Sequence, residues 1–309
     1  MKIGLYSITY LGVWYDGPAL TFKEFMHKAM AMGFDGVEID GKRPHGNPMD
    51  LDQRARDDIR NELEKLGLEM AALSSNNDFS SPVPEHRECQ LLMVREQARL
   101  AADLGAPVVR LFAAWPGITF RNNRALYEEA RNGWERAFPD VPRLERWRLV
   151  RECLKEAAAF GEEFGVTMAL QNHPPLCHDW QDVVAWVNEV NSPWLKVNLD
   201  APMLQSYADD YVWQAAMAVK GLQVHSHFGG EFYRDAGGTI QCRPRATGDP
   251  INYPVFLKGM KEIGYKGYFC YEFCHPAVDE YHNPQGIEYV DEQVALALEY
   301  LRGQIAALD

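Results

Sequence analysis

The sequence predicts a single (β/α)8 barrel of the TIM type, and three observations carry that prediction. Short apolar runs alternate with longer amphipathic stretches, and the alternation occurs eight times in 309 residues. Several amphipathic stretches stop at a glycine just before the next apolar run. No Gly-x-Gly-x-x-Gly turn follows the first run, where "SITYLGVWYDG" stands instead, which argues against a doubly wound dinucleotide-binding sheet.

The eight units follow in order. Residues 2–8 (KIGLYSI) form the first strand and 21–33 the first helix, closed by "MGFDG". Strand 36–40 (GVEID) leads into helix 52–66, closed by "LGLE", and strand 69–75 (EMAALSS) into helix 85–104, closed by "LGAP". Strand 107–113 (PVVRLFA) leads through a long insertion into helix 144–164. There "RLVRECLKEAAAFGEEFG" sets Leu149, Cys153, Leu154, Ala157 and Phe160 on one side at the helical period. Strand 166–173 (VTMALQNH) precedes helix 179–190, and strand 195–200 (LKVNLD) precedes helix 208–219. Strand 222–228 (LQVHSHF) leads through a second insertion into helix 253–263, closed by "IGYKG". Strand 267–274 (GYFCYEFC) and helix 288–306 complete the set.

No linker divides the chain, so residues 1–309 read as one barrel domain with long loops at about 113–144 and 229–252. Both loops follow a strand and are expected on the catalytic face, where such loops act as lids. Cysteines 89, 153, 177, 242, 270 and 274 show no CxxC pair, which reads as reduced, cytosolic thiol. A net charge of −13 repels polyanions and gives nucleic-acid binding through phosphate neutralisation little support. With no signal-peptide core and no apolar span, the expected location is cytoplasmic, without a membrane partner.

Functional residues of a barrel occupy the C-terminal ends of its strands. Here those ends carry polar pairs two residues apart, the spacing that puts both side chains on one face. The pairs are Glu38 and Asp40, Gln171 and His173, Asn198 and Asp200, and His225 and His227, and the last strand carries Glu272 with His275 beyond it. Gln171, Asp200, a histidine and Glu272 would converge from four successive strands. Carboxylate, imidazole and amide oxygen together suit Mn2+, Mg2+, Co2+ or Zn2+. An ion also removes the cost of placing two carboxylates side by side. Trp14, Phe112 and Trp115 offer aromatic planes at the same end for a sugar ring. Arg234, Arg243 and Arg245 are candidates for a phosphate or carboxylate.

The chain resembles the sugar phosphate isomerase/epimerase superfamily, the xylose-isomerase-like barrels of AP endonuclease family 2 type. The matching segments are "GFDGVEID", "VTMALQNHPP", "LKVNLDAP", "VHSHFGGE", "GDPINYPVFLKGMKEIGYKGYFCYEF" and "EYVDEQVALALEYLR", in family order over nearly the whole chain. The resemblance implies a divalent-metal-dependent isomerase or epimerase acting on a sugar, keto-sugar or cyclitol by proton abstraction next to a carbonyl. It also implies a homo-oligomer, Mn2+ as the first choice of ion, and the ligand set Gln171, Asp200, His227 and Glu272. The family pattern, a ligand just before a short polar turn, favours His227 over His225.

Gln171 is the departure, because the family usually has Glu there. A Gln cannot take a proton at neutral pH, so the symmetric exchange between two glutamates is not available. His173, with Glu272 as the opposite partner, becomes the acid–base candidate. Glu38, Trp115, His225 and Arg234 are candidates for substrate contact. One alternative is a metal-dependent lyase or dehydratase on a keto-sugar, keto-glycoside or inosose, since the same enediolate can expel a leaving group. Another is a non-catalytic sugar-binding or partner subunit. Endonuclease activity ranks third, because the charge is acidic and that group uses more His and Asp ligands.

Overall fold

The structure is a computed structural model that describes residues 1–115, 117–121, 124–126, 136–244 and 248–308. Eight strands form the barrel: β1 (Lys2–Tyr6), β2 (Gly36–Asp40), β3 (Glu69–Ser74), β4 (Val108–Leu111), β5 (Thr167–Gln171), β6 (Leu195–Asn198), β7 (Gln223–Gly229) and β8 (Tyr268–Glu272). All neighbours are parallel, and the sheet closes in the order β1-β8-β7-β6-β5-β4-β3-β2. The helices are α1 (Phe22–Met32), α2 (Gln53–Leu66), α3 (Pro84–Leu104), α4 (Arg143–Phe164), α5 (Trp180–Val190), α6 (Asp209–Ala218), α7 (Tyr253–Glu262) and α8 (Ile287–Ala306). This is the (β/α)8 barrel that the eightfold alternation predicts.

The local signals act as the physics requires. Thr21 caps α1 in a reciprocal capping box with Glu24. Gly33, Gly67, Gly105, Gly165 and Gly264, the expected stops, all take positive φ between 67° and 91°, a region that costs a Cβ-bearing residue more. The first strand ends earlier than its apolar run because Ser7–Tyr10 turn into a 3-10 helix. The hydroxyls there accept from neighbouring strand ends, Ser7 from the Asp40 N–H at 2.8 Å and Thr9 from the Phe273 N–H at 3.1 Å.

Alternation along each strand divides the core. Leu5, Val37, Ile39, Leu73, Val109, Leu111, Leu170, Val197 and Phe269 face outward and are buried in the main apolar core. Ala72, Val108 and Ala169 pack as a separate small cluster inside the barrel. Toward the strand C-termini the interior turns polar, with Glu38, Ser74, Arg110, Gln171, Asn198, Asp200, His225 and His227 all buried. Two register shifts lie beside this region, between Val37 and Glu38 against β3, and between Val197 and Asn198 against β7. Bulges of this kind re-aim the side chains that follow them.

The 229–252 insertion is partly built against the last helix. It forms a two-stranded hairpin, Phe232–Arg234 with Ile240–Cys242. The Phe232 N–H donates to Gln293 Oε1 at 2.7 Å, and the Phe232 ring meets Tyr300 at 5.0 Å. Arg234 pairs with Glu299 at 2.6 Å. Glu299 lies about 18 Å along α8 from Ile287, at about 1.5 Å rise per residue. Since α8 runs away from the catalytic end, the hairpin descends the outer wall. Its alternating apolar residues are what attach it there. The 113–144 insertion includes a short hairpin, 119–121 with 124–126, and much of the rest lies outside the described residues. Among the described residues no helix is long and apolar enough to cross a membrane, and no disulfide joins the six cysteines.

Gly36 shows how tightly the barrel wall is built two residues before Glu38. A Cβ there would sit 2.6 Å from the Glu69 carbonyl oxygen and 2.8 Å from Tyr268 Oη. Gly36→Ala is expected to cost about 1–3 kcal/mol in urea unfolding, the usual penalty of overpacking. An unchanged midpoint would show that β2 and β3 can separate at no cost.

Candidate active site

Asp200, two residues past the end of β6, is the hub. Its Oδ1 accepts from Asn198 Nδ2 at 2.5 Å and from the His227 N–H at 2.7 Å. Its Oδ2 accepts from Gln171 Nε2 and lies 3.0 Å from His227 Nδ1. Asn172 clamps the Asp200 backbone, its Oδ1 accepting from the N–H at 2.9 Å and its Nδ2 donating to the carbonyl at 3.2 Å. Asn172 was not singled out in the sequence; the polar step between Gln171 and His173 was the available signal.

Gln171 spends its amide N–H on Asp200, and its Nε2 also lies 3.3 Å from His227 Nδ1. Its Oε1 is buried with no hydrogen-bond partner. Such an orphaned oxygen costs about 1–3 kcal/mol unless something electropositive meets it. Asp200, His227 and Glu272 offer ligand atoms within 4.8 Å of one another, as do Glu38, His225 and His227. An amide oxygen without a donor, next to carboxylates and an imidazole, fits a hard-to-borderline divalent cation.

His227 sits between two acids. Its Nε2 lies 2.9 and 3.0 Å from the two oxygens of Glu38, and its Nδ1 faces Asp200. The Tyr6 ring stacks on the imidazole at 5.2 Å and 22°. Glu38 is fully used, taking Ser74 Oγ on Oε1 and lying 2.9 Å from His225 Nε2 on Oε2. His225 is two residues before His227 on β7 and so deeper in the barrel, its ring 5.2 Å from that of His227 and edge-on to it. Glu38 and His225, candidates for substrate contact, are both buried, with Glu38 between the two histidine rings.

The remaining expected residues divide. His173 Nδ1 lies 2.5 Å from the Pro174 carbonyl, and the ring stands edge-on to Phe112 at 4.7 Å and to Trp115 at 4.6 Å. His173, Phe112 and Trp115 therefore make one wall. Trp14 is packed into the main core instead. Arg234 faces Glu299 outside the barrel, Arg243 is 3.6 Å from Glu231, and Arg245 lies outside the described residues. Arg110 was missed; its signal was a lone charge inside "PVVRLFA".

The electrostatics follow from this crowding. Burial alone would raise the Glu38 carboxyl, but His227 and His225 hold it well below the usual carboxylate range. Burial pushes His227 down, yet Glu38, Asp200 and Glu272 hold its pKa well above the ordinary 6.5. Burial pushes the Glu272 carboxyl up, opposed by His227 and reinforced by Asp200. In chelator-treated protein the stabilisation from the His227 proton is complete below pH 6.5 and lost as pH rises through the folded pKa. Urea unfolding of the wild type should therefore show stability declining above that pH more steeply than in His227→Asn. Equal slopes would assign the titration to another group.

Comparison with known proteins matches the chain to one family. A model of the xylose isomerase-like TIM barrel matches residues 26–300. Among solved structures, D-psicose 3-epimerase from Clostridium cellulolyticum H10, determined with D-tagatose, superposes with a TM-score of 0.71 at 17% identity, covering 99% of each chain. The 3-keto-D-glucoside 4-epimerase from E. coli gives 0.66 at 18% identity, over 96% of this chain and 99% of that one. L-ribulose 3-epimerase gives 0.69 at 16% identity, over 99% and 95%. At these identities the likeness to solved structures speaks for the fold, and the family match covers most of the chain. The chain belongs to the xylose isomerase-like TIM barrel family.

Proposed function

We propose that this chain is a divalent-metal-dependent epimerase or isomerase of keto-sugars. The observation that carries the reading is the buried, unpartnered Oε1 of Gln171 beside Asp200 and His227 at the C-terminal end of the barrel. Gln171, Asp200, His227 and Glu272 would hold the ion, with Mn2+ the first choice. When bound, it supplies Lewis acidity at the sugar carbonyl, which makes the neighbouring C–H acidic.

The protein's own residues then move the proton. Glu272 receives no hydrogen bond from a described side chain, and burial raises its proton affinity, which suits a base at carbon. A carbonyl oxygen can only accept, so the contact to Pro174 puts the His173 proton on Nδ1 and leaves Nε2 as the basic nitrogen of the neutral ring. One of the pair breaks the C–H bond and takes the proton. The other, protonated, returns a proton to the opposite face, and the sugar's composition is unchanged. The amide of Gln171 takes no part in that transfer. Phe112 and Trp115 hold the His173 ring and bound the space for a sugar. The keto-sugar class follows from the named relatives, all of them sugar epimerases.

Three measurements test the reading. Keto-hexoses and keto-pentoses incubated with the Mn2+-loaded protein in D2O should gain deuterium at the carbon beside the carbonyl in an intact epimer or isomer. An unsaturated or cleaved product would move the reaction to elimination, and no turnover of any would support a binding role. His173→Ala should lower kcat by about 10²–10⁴-fold with Mn2+ affinity unchanged. Asp200→Asn should abolish stoichiometric Mn2+ binding in calorimetry, and Gln171→Glu should tighten it by adding a negative ligand. Retained Mn2+ binding in Asp200→Asn would overturn the ligand set.

A further inference from the structure

Arg110, on β4, is buried inside the barrel with its guanidinium carbon Cζ 3.9 Å from the centre of the Phe112 ring. Its Nε donates to Ser74 Oγ at 3.0 Å, its Nη1 to the Ser75 carbonyl at 2.9 Å and its Nη2 to Tyr6 Oη at 2.9 Å. Guanidinium N–H groups only donate. Each hydroxyl that receives one must send its own proton elsewhere. Ser74 sends its proton to Glu38 Oε1, and Tyr6 sends its proton to Asp40 Oδ2 at 3.0 Å.

Both arms of this chain reach the same imidazole. Glu38, an acceptor that already receives Ser74, needs a donor from the ring nitrogen facing it, His227 Nε2. With the proton on Nε2, the lone pair available to an ion is on Nδ1, the nitrogen that faces Asp200 and Gln171. The second arm fixes the Tyr6 hydroxyl, and the Tyr6 ring lies against the imidazole. Metal-binding histidines generally need such a partner on the other nitrogen to set tautomer and orientation.

We infer that Arg110 is a positioning residue for the metal centre: through Ser74 and Glu38, and through Tyr6, it holds His227 protonated on Nε2 with Nδ1 turned toward Asp200 and Gln171. The inference rests on the metal-dependent reading above, and wild-type Mn2+ binding tests that reading separately. Arg110 donates to Ser74, Ser75 and Tyr6, none of which belongs to the proposed ligand set.

The experiment titrates Mn2+ calorimetrically into chelator-stripped wild type, Arg110→Met, Ser74→Ala and Tyr6→Phe, with near-ultraviolet circular dichroism confirming that each is folded. Arg110→Met and Ser74→Ala should bind Mn2+ about 10- to 100-fold more weakly, the usual loss when a ligand's outer partner is removed. Tyr6→Phe keeps the stack and should lose less than either. If Arg110→Met fails to fold, Ser74→Ala decides, since it breaks the same chain by removing one oxygen. In Zn2+-loaded protein carrying 15N-histidine, His227 should show a protonated Nε2 and a metal-shifted Nδ1, a pattern that blurs into a mixture in Ser74→Ala. A Mn2+ Kd in folded Ser74→Ala within twofold of wild type, or a protonated Nδ1 in the loaded wild type, would overturn the inference. A wild type that binds no Mn2+ would overturn the metal reading as well.

Discussion

Acidic groups brought to one end of a closed barrel must be given counter-charge or protons, and that constraint shapes this molecule. Glu38, Asp40, Asp200 and Glu272 all end at the C-terminal side of strands whose interior excludes water. Isolated, such groups would be costly to ionise. His227 between Glu38 and Asp200 answers part of the requirement, Lys42 lies 3.4 Å from Asp40, and Arg110 reaches Glu38 and Asp40 through hydroxyls. Glu272 receives no hydrogen bond from a described side chain, and it is the carboxyl of this cluster whose pKa stands raised, burial being the main cause. This is the acid that the proposed reading uses to accept a proton from carbon.

Much of this was legible as a pattern. The eight units, the glycine stops and the two-residue spacing of polar pairs all come from backbone geometry, which the sequence expresses directly. Depth was not legible. Residues two apart on a strand share a face but differ by about 7 Å along it. The pattern therefore could not tell that His225 lies beneath His227, or that Glu38 is consumed by its neighbours. Arg110 escaped notice for a related reason: a single charge in an apolar run reads as an irregularity until cross-barrel partners are known. The outer-wall position of the hairpin depended on Phe232 finding Gln293 and Tyr300, a contact across some sixty residues of sequence.

The relation of Asp200 to its two amides gives the Gln at position 171 a physical meaning. Gln171 and Asn198 both donate to this one carboxylate, and both leave a buried carbonyl oxygen without a partner. Two such orphans in one site are unusual, because native interiors satisfy nearly all buried polar atoms. A Glu at 171 would remove one donor from Asp200 and place another negative charge against it. The amide instead neutralises part of the field on Asp200 while presenting an uncharged oxygen to the cavity. A cation held there faces one negative ligand fewer, so it retains more of its polarising power. On the proposed reading the proton traffic then passes to His173 and Glu272. On the same reading, the Gln that stands in place of a family base would thereby strengthen the electrophile on which the remaining bases depend.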